Sequence, residues 1–223
     1  MRDALQSGDV RRPAAAATRE ALLAAGLETF AARGFDGARV GQIARAAGVN
    51  KALVSYHFGG KLGLFGAIVS GMLDEITGRL SALRDPQVPA DARLQEFVRV
   101  WGELAQERPD FPPMMLRELL SGGAHLGEEQ MRRVLGVFEL VREIIAQGVA
   151  EGRFRAVDPL LTHLSLMGSL MFFFATAPAR ERLLAQRRLP VAAPDNARFV
   201  SFMQELIGVG LSTPSTWTRG GAS

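Results

Sequence analysis

An all-α fold is predicted for this 223-residue chain by three observations. Apolar residues recur at helical spacing in segment after segment. No stretch alternates apolar and polar residues as a half-buried strand does, and no glycine-rich phosphate loop follows an apolar strand. With 48% apolar residues the chain can bury a sizeable core, and its length admits one large domain or two small ones. The organisation expected is a flexible basic arm over residues 1–17, a three-helix domain over 18–66, a larger helical domain over 67–211 and a flexible tail over 212–223.

Taken in order, the elements have local reasons. Thr18 suits an N-cap, and after it Leu22, Gly26 and Phe30, with Leu23 and Leu27 beside them, repeat at i, i+4, i+8 up to Gly34, giving a first helix of about four turns. A short second helix over Val40 to Ala47 would bury Val40, Ile43, Ala44 and Ala47. Gly48 then supplies a tight turn. A third helix starts at Asn50 and runs to about His57, with Val54 and Phe58 inward and Lys51, Ser55 and Tyr56 outward. The fourth spans about Lys61 to Leu83, and "RDPQVPAD" ends it. Five more helices are expected: Ala92 to Gln106, Pro113 to Ser121, Glu128 to Glu151, Pro159 to Ala177 and Asn196 to Leu211. Asp158 with Pro159 reads as N-cap and first helical position, and Asp195 caps the last helix.

Composition narrows the function. The chain has no cysteine, which removes disulfide frameworks, thiolate metal sites and cysteine nucleophiles. No apolar run of signal-peptide length opens it, so a cytoplasmic location is expected. The apolar stretch Leu164 to Ala177 falls short of the roughly 20 residues that span a bilayer, and no membrane role is expected. The three histidines, His57, His125 and His163, lie far apart, and no Ser, His and Asp set is recognisable. No enzyme activity, cofactor or metal is expected. His125 beside Glu128 and Glu129 is the one grouping with metal-ligand types, and a solvated loop is the preferred reading.

Charge points elsewhere. The net charge is only +3, yet residues 1–66 carry nine Lys or Arg against five Asp or Glu. No acidic residue lies between Asp36 and Asp74, whereas Arg39, Arg45, Lys51 and Lys61 do. A surface that meets phosphates excludes carboxylates as well as gathering cations. The chain's two lysines and its single tyrosine all fall within "NKALVSYHFGGK", residues 50–61. Two short helices joined at a glycine, the second with a cationic and aromatic outer face, have the layout of a helix-turn-helix.

Residues 19–69 resemble the DNA-binding region of the TetR family of bacterial transcriptional regulators. The matching positions are Phe30, Gly34, Phe35, Ile43, Ala44, Ala47, Gly48, Val49, Tyr56, His57, Phe58, Lys61 and Leu64. The resemblance implies that Lys51 reaches a base edge or phosphate from the start of the recognition helix, that Tyr56 and His57 touch the sugar-phosphate backbone, and that Lys61 meets a phosphate at the start of the fourth helix. Arg39 and Ser55 complete the expected DNA-binding set. Asn50 has two readings: it caps the helix, the preferred one, or it reads adenine bidentately. His57 likewise has a structural reading beside the phosphate one. Ser55 stands where many family members have a DNA-contacting tyrosine, and Leu62 replaces the usual acidic residue after Lys61. Arg2, Arg11 and Arg12 read better as a solvated tail than as DNA contacts.

For the C-terminal domain the resemblance implies a homodimer on an inverted-repeat operator in double-stranded DNA, and a pocket for a small apolar organic effector. The stripes Leu160, Leu164, Met167, Met171, Phe174 and Phe199, Phe202, Met203, Leu206 are the expected dimer faces, with an ordinary core as the competing reading. Trp101, Arg142 and His163 are the expected pocket residues, though bulky side chains at helical spacing also build plain cores. The protein is therefore expected to be a ligand-released repressor. An activator remains open, as does a ligand-binding module of the same fold that has lost DNA binding.

Overall fold

The computed structural model describes residues 7–186 and 194–213. Among them are ten α-helices, a 3-10 turn at Ser81–Arg84 and one isolated antiparallel bridge between Phe154 and Ser212. They fall into two compact units, the first ending at Glu75 and taking in Arg108–Arg132, the second formed by the remainder.

The first unit holds α1 (Ser7–Gly37), α2 (Val40–Ala46), α3 (Ala52–Phe58), most of α4 (Lys61–Leu80) and α6 (Phe111–Leu120). The apolar face of α1 is as the spacing predicts: Leu22 and Phe30 are buried, against Ile43 of α2, Val54 of α3 and Leu64, Phe65, Ile68 and Val69 of α4 among the core residues. Phe30, Phe35 and Phe65 form an aromatic group, Phe65 meeting Phe30 edge-on at 5.1 Å and Phe35 at 5.4 Å. The packing of α6 against α1 brings Phe111, Met114 and Met115 into the buried set.

The second unit holds α5 (Ala90–Glu107), most of α7 (Glu128–Ala150), α8 (Pro159–Ala175), α9 (Ala177–Ala185) and α10 (Asn196–Leu211). α5 packs on α10 and α8, burying Leu94, Phe97, Val98 and Trp101. Capping follows the sequence: Asp158 Oδ1 accepts from Leu161 N at 2.9 Å, and Asp195 Oδ1 accepts from Arg198 N at 2.7 Å. The proline-containing break after α4 is held by a buried cation. Arg93 Nε donates to Leu83 O at 2.6 Å and its Nη1 to Gln147, whose amide donates to Pro86 O and Val88 O at 3.0 and 3.2 Å. Burial lowers the Arg93 pKa, opposed by nearby Glu143, Asp85 and Glu151.

Several expectations are corrected. α1 begins at Ser7, so residues 7–17, with the backbone of Arg11 and Arg12, are helical instead of a flexible arm; the Ala14–Ala17 run has the highest intrinsic helix propensity. Arg2 lies outside the described residues. No break falls at residue 66, because α4 runs through it, and α6 belongs with the first unit. Ser212 and Thr213 are pinned to the residues after α7: Arg155 N donates to Leu211 O at 2.8 Å and Thr213 N to Arg153 O at 3.4 Å. The rest of the expected tail, 214–223, lies outside the described residues. α9 was not expected at all. Among the described residues no single helix is long and apolar enough to cross a membrane.

Candidate functional site

Two helices of seven residues each are too short to persist alone, so their ends must be fixed from outside. Between α2 and α3 the chain reverses at Gly48, φ 69°, where Gly48 N donates to Arg45 O at 3.1 Å and Val49 N to Ala44 O at 2.9 Å. These paired bonds close the end of α2, and the left-handed backbone is one that glycine alone adopts without cost. Asn50 precedes Lys51, the N-cap of α3, and its Oδ1 accepts from Ala52 N, the first residue of the helix, at 2.9 Å. That bond occupies the amide oxygen at the start of the helix. Inward, Val54 is fully buried and Phe58 half-buried; outward, Lys51, Ser55 and Tyr56 are exposed, Tyr56 to 80%. The half-buried His57 ring meets the Tyr56 ring edge-on at 5.0 Å. Arg39, at the N-cap of α2, is exposed too. No carboxylate lies in the sequence between these exposed residues.

Lys61 opens α4 and is held on the protein's own backbone. Its Nζ donates to Phe35 O at 3.0 Å and to Ala38 O at 3.2 Å, and lies 4.2 Å from the centre of the Phe35 ring. Two of an ammonium's three donors are therefore used on backbone carbonyls. The chain from Phe35 to Lys61, with α2 and α3 inside it, is closed into a loop by this side chain. The N-terminus of α4 approaches the end of α3 so closely that a Cβ at Gly63 would lie 1.7 Å from Phe58 O. Sequence reasoning missed this clasp, the Gly63 contact and Arg19, whose guanidinium lies 5.3 Å over the Phe58 ring. Only the matched glycine and aromatic positions hinted at them.

His125 takes part in no metal-ligand grouping with Glu128 and Glu129. Its backbone N and Nδ1 instead engage the buried Glu118 carboxylate at 2.6 and 2.9 Å.

In the second unit, Trp101 is buried with no acceptor for Nε1, and the buried Nδ1 of His163 also has no partner. Phe138 meets the His163 ring edge-on at 5.4 Å. Burial lowers the His163 pKa. Arg142 is not with them: it is exposed on α7, its Nε donating to Glu139 one turn away at 2.6 Å. Its charge keeps it in water, which corrects its assignment to a pocket. α8 and α10 divide their apolar residues between two faces. Leu166, Leu170, Met171, Phe174 and Met203 are buried, whereas Leu160, Leu161, Leu164, Phe172, Phe202, Leu206 and Val209 are each at least half exposed. The expected stripes therefore mix both faces. Met171, Phe174 and Met203 are core, and Phe199 stacks on Phe173 at 3.7 Å.

Two consequences can be measured. Gly63→Ala forces α4 and α3 apart and is expected to lower unfolding stability by about 1–3 kcal/mol in denaturant titration. His163, with a folded pKa below its unfolded value of about 6.5, contributes stability that is present above that value and lost as pH falls through it, because the unfolded chain takes up a proton the folded one refuses. Stability of His163→Phe is accordingly expected to fall less than that of the wild type between about pH 7 and about pH 5; an equal fall would contradict the assignment.

Comparison with known proteins agrees with this architecture. Residues 22–68 match the family model described as bacterial regulatory proteins, tetR family, and residues 89–203 match the tetracyclin repressor-like C-terminal domain. The HTH-type transcriptional regulator RutR of Escherichia coli (strain K12) is 29% identical over 178 residues, covering 80% of this chain and 84% of that protein. The HTH-type transcriptional repressor NicS of Pseudomonas putida is 31% identical over 168 residues, covering 74% and 79%. Among solved structures, the ketosteroid transcriptional regulator KstR2 of Mycobacterium tuberculosis superposes with a TM-score of 0.72 at 19% identity, covering 87% of this chain and 95% of that one. AibR, solved with isovaleryl coenzyme A and operator DNA, gives 0.69 at 20% identity, covering 85% and 97%. A C-terminal family model that matches more than half the chain, together with the N-terminal match on the helix-turn-helix, establishes that the chain belongs to the TetR family of bacterial regulators.

Proposed function

We propose that this protein is a sequence-specific transcriptional regulator that binds an inverted-repeat operator as a homodimer and represses until a small organic ligand releases it. The observation that carries the reading is the outer face of α3. Lys51, Ser55 and Tyr56 stand in solvent on a helix whose other side is locked into a core, and the sequence from 37 to 73 holds no carboxylate to oppose a phosphate. Lys51 reads a base edge or phosphate, Tyr56 and His57 pack against the sugar-phosphate backbone, and Arg39 and Ser55 flank them. Family membership favours this over a ligand-binding module without DNA.

Dimerisation is supported by the exposed apolar residues of α8 and α10, which flank one open groove lined by Leu161, Ser165, Leu166, Met203 and Leu206. Apolar area of this kind on two neighbouring helices is covered best by a second copy, whose two-fold axis also generates paired half-sites. The effector reading rests on Trp101 and His163, a donor and a neutral imidazole in apolar surroundings without protein partners, which suit an apolar molecule bearing few polar groups.

Selection of bound duplexes from genomic fragments, with the wild type beside a Lys51→Ala, Tyr56→Ala variant, tests the reading. One inverted repeat enriched by the wild type alone is expected, and Lys51→Ala is expected to cost about 1–3 kcal/mol of discrimination at one position in each half-site. No enrichment by either protein would overturn it.

A further inference from the structure

We propose that His125 is a positioning residue for DNA reading, an inference that rests on the DNA-binding function above. Glu118, in the last turn of α6, is one of two buried charged side chains among the described residues. A buried carboxylate must be satisfied, and most of that satisfaction comes from His125, through its backbone N at 2.6 Å and Nδ1 at 2.9 Å. The pairing requires the chain to fold back within seven residues. It does so at Gly122 and Gly123, φ 81° and 71°, with Gly123 N donating to Glu118 O at 2.9 Å.

The carboxylate thereby fixes the imidazole in place and in tautomer: Nδ1–H donates to Glu118, and Nε2 lies 3.9 Å from Asp36. Held so, the ring lies nearly flat on Phe35, centroids 3.8 Å apart and planes 25° apart. Phe35 is the residue whose carbonyl and ring both receive the Lys61 ammonium. A chain of direct contacts therefore runs from Glu118 through His125 and Phe35 to Lys61, which closes the helix-turn-helix. Phe30 and Phe65 also pack on Phe35, so the core survives without His125. What the imidazole adds is the setting of the Phe35 ring, and through it the angle at which α3 is presented.

The experiment uses the full chain and a duplex that the wild type selects from a random-sequence pool. His125→Gln keeps a donor for Glu118 and removes the flat ring. Its affinity for the selected duplex is expected to fall roughly tenfold, within the range of coupling between touching residues, while affinity for an unrelated duplex and the thermal midpoint stay at wild-type values. A Glu118→Gln, His125→Phe pair restores an aromatic ring, keeps an acceptor for the backbone N of residue 125 and removes the buried charge, and is expected to recover selected-duplex binding. Equal operator affinity of His125→Gln and wild type would overturn the inference alone, as would an equal loss on both duplexes or a failure of the double variant to recover. Failure of the wild type to select any duplex would overturn the DNA-binding reading itself, and this inference with it.

Discussion

The helix-turn-helix depends on one cation. Lys61 Nζ holds the carbonyls of Phe35 and Ala38, just before α2, from a position just after α3. Helices of seven residues have little stability of their own, so the unit that presents Lys51, Ser55 and Tyr56 is set by how its ends are joined. Lysine suits that task. Its compact ammonium satisfies two carbonyls that follow the non-helical Gly34 (φ 69°, ψ 176°) and lies over an aromatic face at once. Gly63 makes the join tight, since only a residue without Cβ lets α4 approach Phe58 O.

The two units answer to different constraints. In the first, charge is arranged for a polyanion: exposed cations outside, aromatic packing inside, and carboxylates kept out of residues 37–73. In the second, apolar area is divided between a core and an exposed face on α8 and α10. Contiguous exposed apolar area of this kind marks an interaction surface. Polar atoms in this unit are used sparingly. Arg93 and Gln147 are spent on the backbone around the break after α4, whereas Trp101 Nε1 and His163 Nδ1 have no protein partner.

Much of this was legible in the sequence, for local reasons. Asp195 and the apolar spacing placed α10 at its observed bounds, and Gly48, Asn50 and Val54 gave the turn, helix start and buried face of the helix-turn-helix. α8 shows where pattern fails. A helix apolar on nearly every side has no stripe to read, so Leu160 and Leu164 could not be separated from Met171 and Phe174. α9 buries none of its residues and gave no periodic signal. Interactions that join distant segments were also invisible. Lys61 to Phe35 and His125 to Phe35 depend on the packed unit, and no spacing rule encodes them. Arg142 was misplaced because residue type alone cannot tell that Glu139 holds it on the surface.

The most direct measurement is the salt dependence of operator binding by Lys61→Met, set beside its thermal stability. An ammonium that is held on the protein's own carbonyls and meets no phosphate displaces no counterion from the DNA. The account therefore predicts weaker binding and a lower unfolding midpoint, with the slope of log affinity against log salt unchanged. A slope shallower by about 0.9 for each subunit's lost phosphate contact, at unchanged stability, would show that Lys61 serves the DNA directly and would contradict the account.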